Sequence, residues 1–234
     1  MHNMQSVRTY MEIKKKNLSV QVLDGMMCHN GEKLEECYYP VQKTKEEFLN
    51  DYYESWKSKD YEKNLHPMTL EGCIVRISDV IAYIGRDLED AIKLGIIDRK
   101  DLPKEITKVL GSKNSEIINT IILDIINNSY EKGKIIISKN IYETMNNLLK
   151  FNYKNIYDKA NTNGELKYYE DGMNRVYDKY LNDLKNKNED SKIYKIFLNS
   201  VDNDYMNNTS NERIVIDFIA GMTDDFFIEE IESC

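Results

Sequence analysis

The segment Arg76-Ile77-Ser78-Asp79-Val80-Ile81-Ala82-Tyr83-Ile84-Gly85-Arg86-Asp87 sets two carboxylates and a phenol at intervals of four residues. At about 100° per residue, Asp79, Tyr83 and Asp87 fall within roughly 80° of one another on a helix, with Arg76 among them. A carboxylate is a hard oxygen ligand for a cation, a phenol both donates and accepts, and a second carboxylate accepts a hydroxyl proton. The stripe could therefore ligate a cation at one end and receive a hydroxyl at the other. An amphipathic helix also keeps such a stripe in water. Val75, Val80 and Ala82 flank it and make its edges more apolar than a solvated face requires. Spacing alone leaves both readings open.

Other reactive residue types are sparse. His2, His29 and His66 are the three histidines, and Cys28, Cys37, Cys73 and Cys234 the four cysteines. No H-x-x-x-H or C-x-x-C spacing occurs among them, so no self-sufficient zinc site is expected, and the neighbours Cys28 and His29 read as structural. A Walker lysine loop, a glycine-rich dinucleotide fingerprint and a G-x-S-x-G elbow are all missing, which removes those enzyme classes.

The elements that must position these residues read as helices, because Ile, Leu, Met and Tyr recur at spacings of three and four. The periodicity predicts helices over Met4 to Lys15, with Val7, Tyr10 and Met11 inward, and over Val20 to Met27. Another is expected from Glu46 to Lys57, carrying Phe48, Tyr52 and Trp56. The longest runs from Thr69, an N-cap, to about Leu94, with Leu70, Cys73, Ile74, Ile77, Ile81, Ile84, Leu88 and Ala91 as its buried face. Ser115 to Asn127 follows with six isoleucines. Further helices are expected over Lys139 to Leu149, Leu166 to Leu184, Ser191 to Ser200 and Glu212 to Ala220. Lys134 to Ile137 reads as an extended connector with no evident partner strand. The expected fold is all-α, a multi-helix bundle in a single domain over residues 1–234.

The chain has 234 residues, 41% hydrophobic and 31% charged, too apolar for a disordered chain and too charged for a membrane one. The opening MHNMQSVRTY lacks the apolar core of a signal peptide, and free thiols suit a reducing compartment, so a cytoplasmic protein is expected. With 40 acidic against 32 basic side chains, the net charge of −8 disfavours broad attraction to nucleic acid or anionic lipid. A small anionic substrate then requires local cations or a metal to recruit it.

Four motifs carry a resemblance. The run from His66-Pro67-Met68-Thr69 through Asp79, Tyr83 and Asp87 to Ala91 closely resembles the last metal-ligand helix of bacterial deoxynucleoside triphosphate triphosphohydrolases. These form the dGTPase branch of the HD-domain phosphohydrolases. His2-Asn3-Met4-Gln5-Ser6-Val7-Arg8 is similar to the family's H-N-x-Q-S-x-R helix, and Asp24-Gly25 through His29 to Glu32 to its D-G-x-x-x-H segment. Asp217 to Asp224 is similar to its D-[YF]-I-A-G-M-T-D motif.

The resemblance implies an HD-like all-α bundle and hydrolysis of a dNTP to the deoxynucleoside and triphosphate. It divides the domain into residues 1–98, the C-terminal part of the HD core, and 99–234, a helical extension. It makes Asp79 the last ligand of a divalent-metal site, Mg or Mn, in which the metal lowers the pKa of its water. Tyr83 and Asp87 become sugar-binding residues, and His2 a catalytic histidine on the phosphate side. The family's first metal histidine, its His-Asp pair and an H-x-G-E segment precede the H-N-x-Q-S helix, with which this sequence opens. His29 and His66 match non-ligand positions. The expectation is therefore a chain that alone is inactive and holds no metal tightly, completed by a separate N-terminal HD segment. The alternative expectation is a non-catalytic oligomerisation or nucleotide-sensing module. A dNTP partner, homo-oligomers and no membrane association are expected in either case.

Overall fold

The computed structural model describes residues 1–30, 34–58, 60–160 and 165–234, so Gly31 and Glu32 of the second motif lie outside the described residues. The described residues form an all-α architecture of twelve α-helices and one two-stranded ladder. No helix among them is long and apolar enough to cross a membrane. The chain divides into two compact units, Met1–Val7 with Leu18–Thr162, and Arg8–Asn17 with Asn163–Cys234.

In the first unit, α1 (His2–Arg8, its last residue assigned to the second unit) and α2 (Val20–Cys28) precede a short strand, β1 (Cys37–Tyr38), and α3 (Lys45–Lys57). The long α4 (Leu70–Lys93) follows, with the Thr69 hydroxyl accepting the Gly72 N–H at 3.0 Å. Then come α5 (Lys104–Leu110), α6 (Asn114–Ser129), β2 (Ile135–Ile136), α7 (Lys139–Asn152) and the short α8 (Asp158–Ala160). The core is one cluster built on Cys73, Ile77, Val80, Ile81, Ile84 and Leu88 of α4, packed with Ile117 and Ile121 of α6 and Met145 and Leu148 of α7.

Several expectations change in this unit. Ile74 is 49% exposed, because it lies at the edge of the arc centred on Cys73, Ile77 and Ile84. Val80 is fully buried instead of flanking a polar stripe. On α6, Ile122 and Ile126 stay exposed, since a helix docked on one side buries only one face of an isoleucine run. Trp56 and Tyr10 also lie at the surface. The segment expected to lack a partner strand has one: β2 pairs antiparallel with β1, Cys37 opposite Ile136 and Tyr38 opposite Ile135. Two residues are too few to show alternation, and the partner is distant in sequence. No periodicity in Lys104 to Leu110 was strong enough to predict α5.

The second unit holds α9 (Glu165–Lys185), α10 (Asn203–Asn208), α11 (Asn211–Ile219) and α12 (Asp224–Glu232). Its core joins Val176, Tyr180 and Leu184 of α9 to Ile214, Val215 and Phe218 of α11 and Ile231 of α12. The first turns of α9 do not share that burial: Leu166, Tyr169 and Met173 are exposed. The stretch expected as a helix over Ser191 to Ser200 is a π turn, Ile193–Phe197, closed by a 3-10 turn, Leu198–Ser200. Two carboxylates are buried here. Asp217 accepts from Arg8 Nε at 2.9 Å, Arg213 Nε at 3.1 Å and the Tyr205 hydroxyl at 2.8 Å. Glu230 accepts from Lys179 at 2.9 Å, from Lys192 at 2.6 Å and from Tyr180.

Candidate functional site

The motif residues contact one another, motif to motif. His2, at the start of α1, lies with its Nε2 3.1 Å from Nε2 of His29, just past the end of α2. Asn3, fully buried, donates to the Met27 carbonyl at 2.7 Å and fixes the same two helices together. Asp24 of α2, also fully buried, accepts the Met68 N–H at 2.6 Å and the Lys43 ammonium at 2.8 Å, tying α2 to the residues that open α4. Close by, α2 and α4 cross at Gly25 and Gly72, where a Cβ on Gly25 would stand 3.9 Å from the Gly72 Cα, in ordinary contact. Arg8 of the first motif and Asp217 of the fourth form the bidentate pair of the second unit.

These contacts border a groove of about 510 Å³ whose lining includes Ser6, Gln21, Met26, His29, Glu71 and Val75. Cys28 faces away from such chemistry. Burial, followed by the Asp24 charge, pushes its thiol up to about 12, so it stays protonated and inert. The pairing of Cys28 and His29 is thus two separate roles, a buried thiol and a groove histidine.

On α4 the polar stripe proves to be the border of the buried arc. Arg76 is 2% exposed, contrary to a solvated face, because its guanidinium donates to the Leu65 carbonyl and approaches Glu35 at 4.0 Å. Asp79 is exposed, one turn beyond the groove-lining Val75. Tyr83 is half-buried against the main core. Asp87 is half-buried and accepts a short hydrogen bond from the Tyr157 hydroxyl. Tyr157 ends a π turn, Tyr153–Tyr157, that continues α7. Burial, then the bond to Asp87, raises the Tyr157 pKa, so this phenol remains a proton donor at neutral pH. Asn152, fully buried, donates to the Ile84 carbonyl at 2.9 Å and holds α7 against α4 beside it.

The structure thus brings His2 to His29 and Asp87 to Tyr157, and leaves Asp79 at the surface between the groove and Tyr83. Sequence reading missed Tyr157, Asp24, Lys43 and Asn152. Of these, only Asp24 belonged to a motif. Tyr157 stands 70 residues from its partner with no local pattern to single it out. Among the described residues no group of three or more His, Cys, Asp and Glu side chains is placed to hold a metal ion. Asp79 offers one exposed carboxylate, so these residues do not by themselves fit a metal centre.

Residues 135–233 match the model of the phosphohydrolase-associated domain. A deoxyguanosinetriphosphate triphosphohydrolase-like protein of Clostridium perfringens is 33% identical over 98% of this chain and 58% of its own length. The chain is a relative of the deoxyguanosinetriphosphate triphosphohydrolase-like proteins. Proteins of that name from Clostridium tetani and Rickettsia bellii are 31% and 26% identical, over 96% and 98% of this chain and 56% and 66% of theirs. The chain therefore spans a little over half the length of the clostridial triphosphohydrolase-like relatives. No solved structure matches it.

Proposed function

We propose that this chain contributes the sugar-facing wall and part of the phosphate-facing wall of a site that hydrolyses a deoxynucleoside triphosphate to the deoxynucleoside and triphosphate. The observation that supports it is the chain of contacts joining the family-like motifs around α4, from His2 to His29 and from Asp24 to Met68. Asp87 and Tyr157 pair an acceptor with a donor, the set that a sugar hydroxyl needs, while Tyr83 offers a ring face one turn away. Asp79 lies at the cation end, roughly 12 Å from Asp87 at 1.5 Å per residue, and His2 at the phosphate end. In this reading His2, Asp79, Tyr83 and Asp87 face one concave site. Asp79 is one ligand of a divalent-metal site, Mg or Mn, whose other ligands come from a further HD segment. The work assigned to residues 1–234 is to bind and orient the nucleotide.

The exposed apolar side chains Val22, Ile74, Val75, Ile122 and Ile126 fit a protein that works in an assembly, with copies of itself or with that segment. The test is triphosphate release from dGTP with Mg²⁺ or Mn²⁺. Residues 1–234 alone should release none. Adding a polypeptide that corresponds to the remaining length of the relatives should start release, and Asp79→Ala should stop it. Activity of the isolated chain, lost on Asp79→Ala, would overturn the assignment of the other ligands to a separate segment. A folded complex with no activity would replace hydrolysis by nucleotide sensing, read as dNTP binding by calorimetry. Sedimentation at the monomer mass of 27.6 kDa at all concentrations would remove the assembly.

A further inference from the structure

The contact between His2 and His29 has a defined proton arrangement. His29 Nδ1 lies 2.7 Å from the Met26 carbonyl oxygen, which can only accept, so Nδ1 carries the hydrogen. In neutral His29 the lone pair is then on Nε2. That atom faces Nε2 of His2 at 3.1 Å, so the hydrogen between the rings belongs to His2. The rings are 5.0 Å apart and tilted by 60°, so they meet nitrogen to nitrogen and are not stacked face on face.

We propose that His29 is a positioning residue for His2: a backbone-locked acceptor that holds the His2 proton on Nε2 and favours the imidazolium form of His2 over the neutral one. This rests on the phosphate-side reading of His2 for its purpose, but not for its geometry. A further proton entering the pair resides on His2, whose Nε2–H then donates to a neutral acceptor as a charge-assisted bond, the stronger kind. Protonating His29 as well would set two N–H groups face to face and break the contact. The pair therefore carries a single positive charge, located on His2 beside the groove-lining His29. An acidic protein needs such a local cation to receive a polyphosphate. The Glu71 carboxylate of α4 lines the groove and also favours the cation. Ser6 and Gln21 are neutral.

With three histidines in the chain, long-range proton–nitrogen spectra of the intact protein can resolve each ring. The expected result is His29 as the Nδ1–H tautomer and His2 protonated at Nε2. His29→Ala should lower the His2 titration midpoint by about half a unit or more, and His66→Ala should leave it in place. His29→Asn, whose amide oxygen can accept, should restore part of the shift. His29 found as the Nε2–H tautomer, or a His2 midpoint unmoved by His29→Ala, would each overturn the proposal. The tautomer is read on the unaltered chain, so the proposal can fail even if the variants do not fold. Inorganic triphosphate is the separate probe: it should perturb the His2 ring, and less so in His29→Ala. The expected proton arrangement without any response to triphosphate would uphold the positioning role and sink the phosphate-side reading of His2.

Discussion

Burial of a charge is the decision that individual residues make most visibly here. Glu230 is fully buried, and burial alone would raise its pKa, yet hydrogen bonds from Lys179, Lys192 and Tyr180 outweigh that and bring it down to about 2. A carboxyl whose folded pKa lies below its unfolded value stabilises the fold above the unfolded pKa. That contribution is lost as pH falls from the ordinary carboxylate range towards 2. Urea midpoints measured between pH 7 and pH 3 should therefore fall steeply in the native chain and more shallowly in Glu230→Gln, whose stability at pH 7 is already lower. Equal slopes would mean that Glu230 is not the group that titrates. Nothing in the local sequence marks Glu230, because its three donors come from α9 and from Lys192, just before the π turn. Asp217 is equally sheltered but stood inside a motif, so its importance could be read even though its partners could not. Asp79, Tyr83 and Asp87 were legible as one stripe from helical geometry. Tyr157, on which Asp87 depends, was not, since a contact between distant residues leaves no short-range trace.

At the level of elements, helices with strong periodicity and a cap were predictable to within a few residues at their ends. Thr69 before α4 supplies the expected side-chain acceptor, and Thr44 before α3 supplies another within a reciprocal capping box with Glu47. Which face a helix buries was less legible, as Ile74 and Ile126 illustrate, because it depends on which neighbour docks and at what angle. The start of α4 packs through Gly72 against the proline that precedes the helix. A Cβ at Gly72 would stand 2.7 Å from the Pro67 Cβ, which the proline ring cannot yield by a rotamer change. Gly72→Ala should thus cost about 1–3 kcal/mol in chemical denaturation, despite alanine's better helix propensity. A stabilised variant would show that the start of α4 has slack against Pro67.

For the molecule as a whole, the least conspicuous element has a consequence for the order of events in folding. The first unit packs α2 on α4, α4 on α6 and α5 on α7, pairs nearer in sequence than the two strands, whereas the ladder of β1 and β2 joins positions about a hundred residues apart. Closing a loop of that size is entropically costly before any contact rewards it, so the ladder should form late, after the helices have shortened the effective loop. Ile137, 1% exposed, donates its N–H to the Glu36 carbonyl at 3.0 Å and continues this pairing, so it reports on the event. Ile137→Val should cost about 0.5–1.5 kcal/mol, all of it as faster unfolding in stopped-flow experiments, with the refolding rate unchanged. A slowed refolding limb would instead place the ladder in the nucleus. If the ladder does form late, the same pairing is the first to be lost in a partial opening. Residues 37–38 and 135–136 would then exchange their amide hydrogens well before the centre of α4 does.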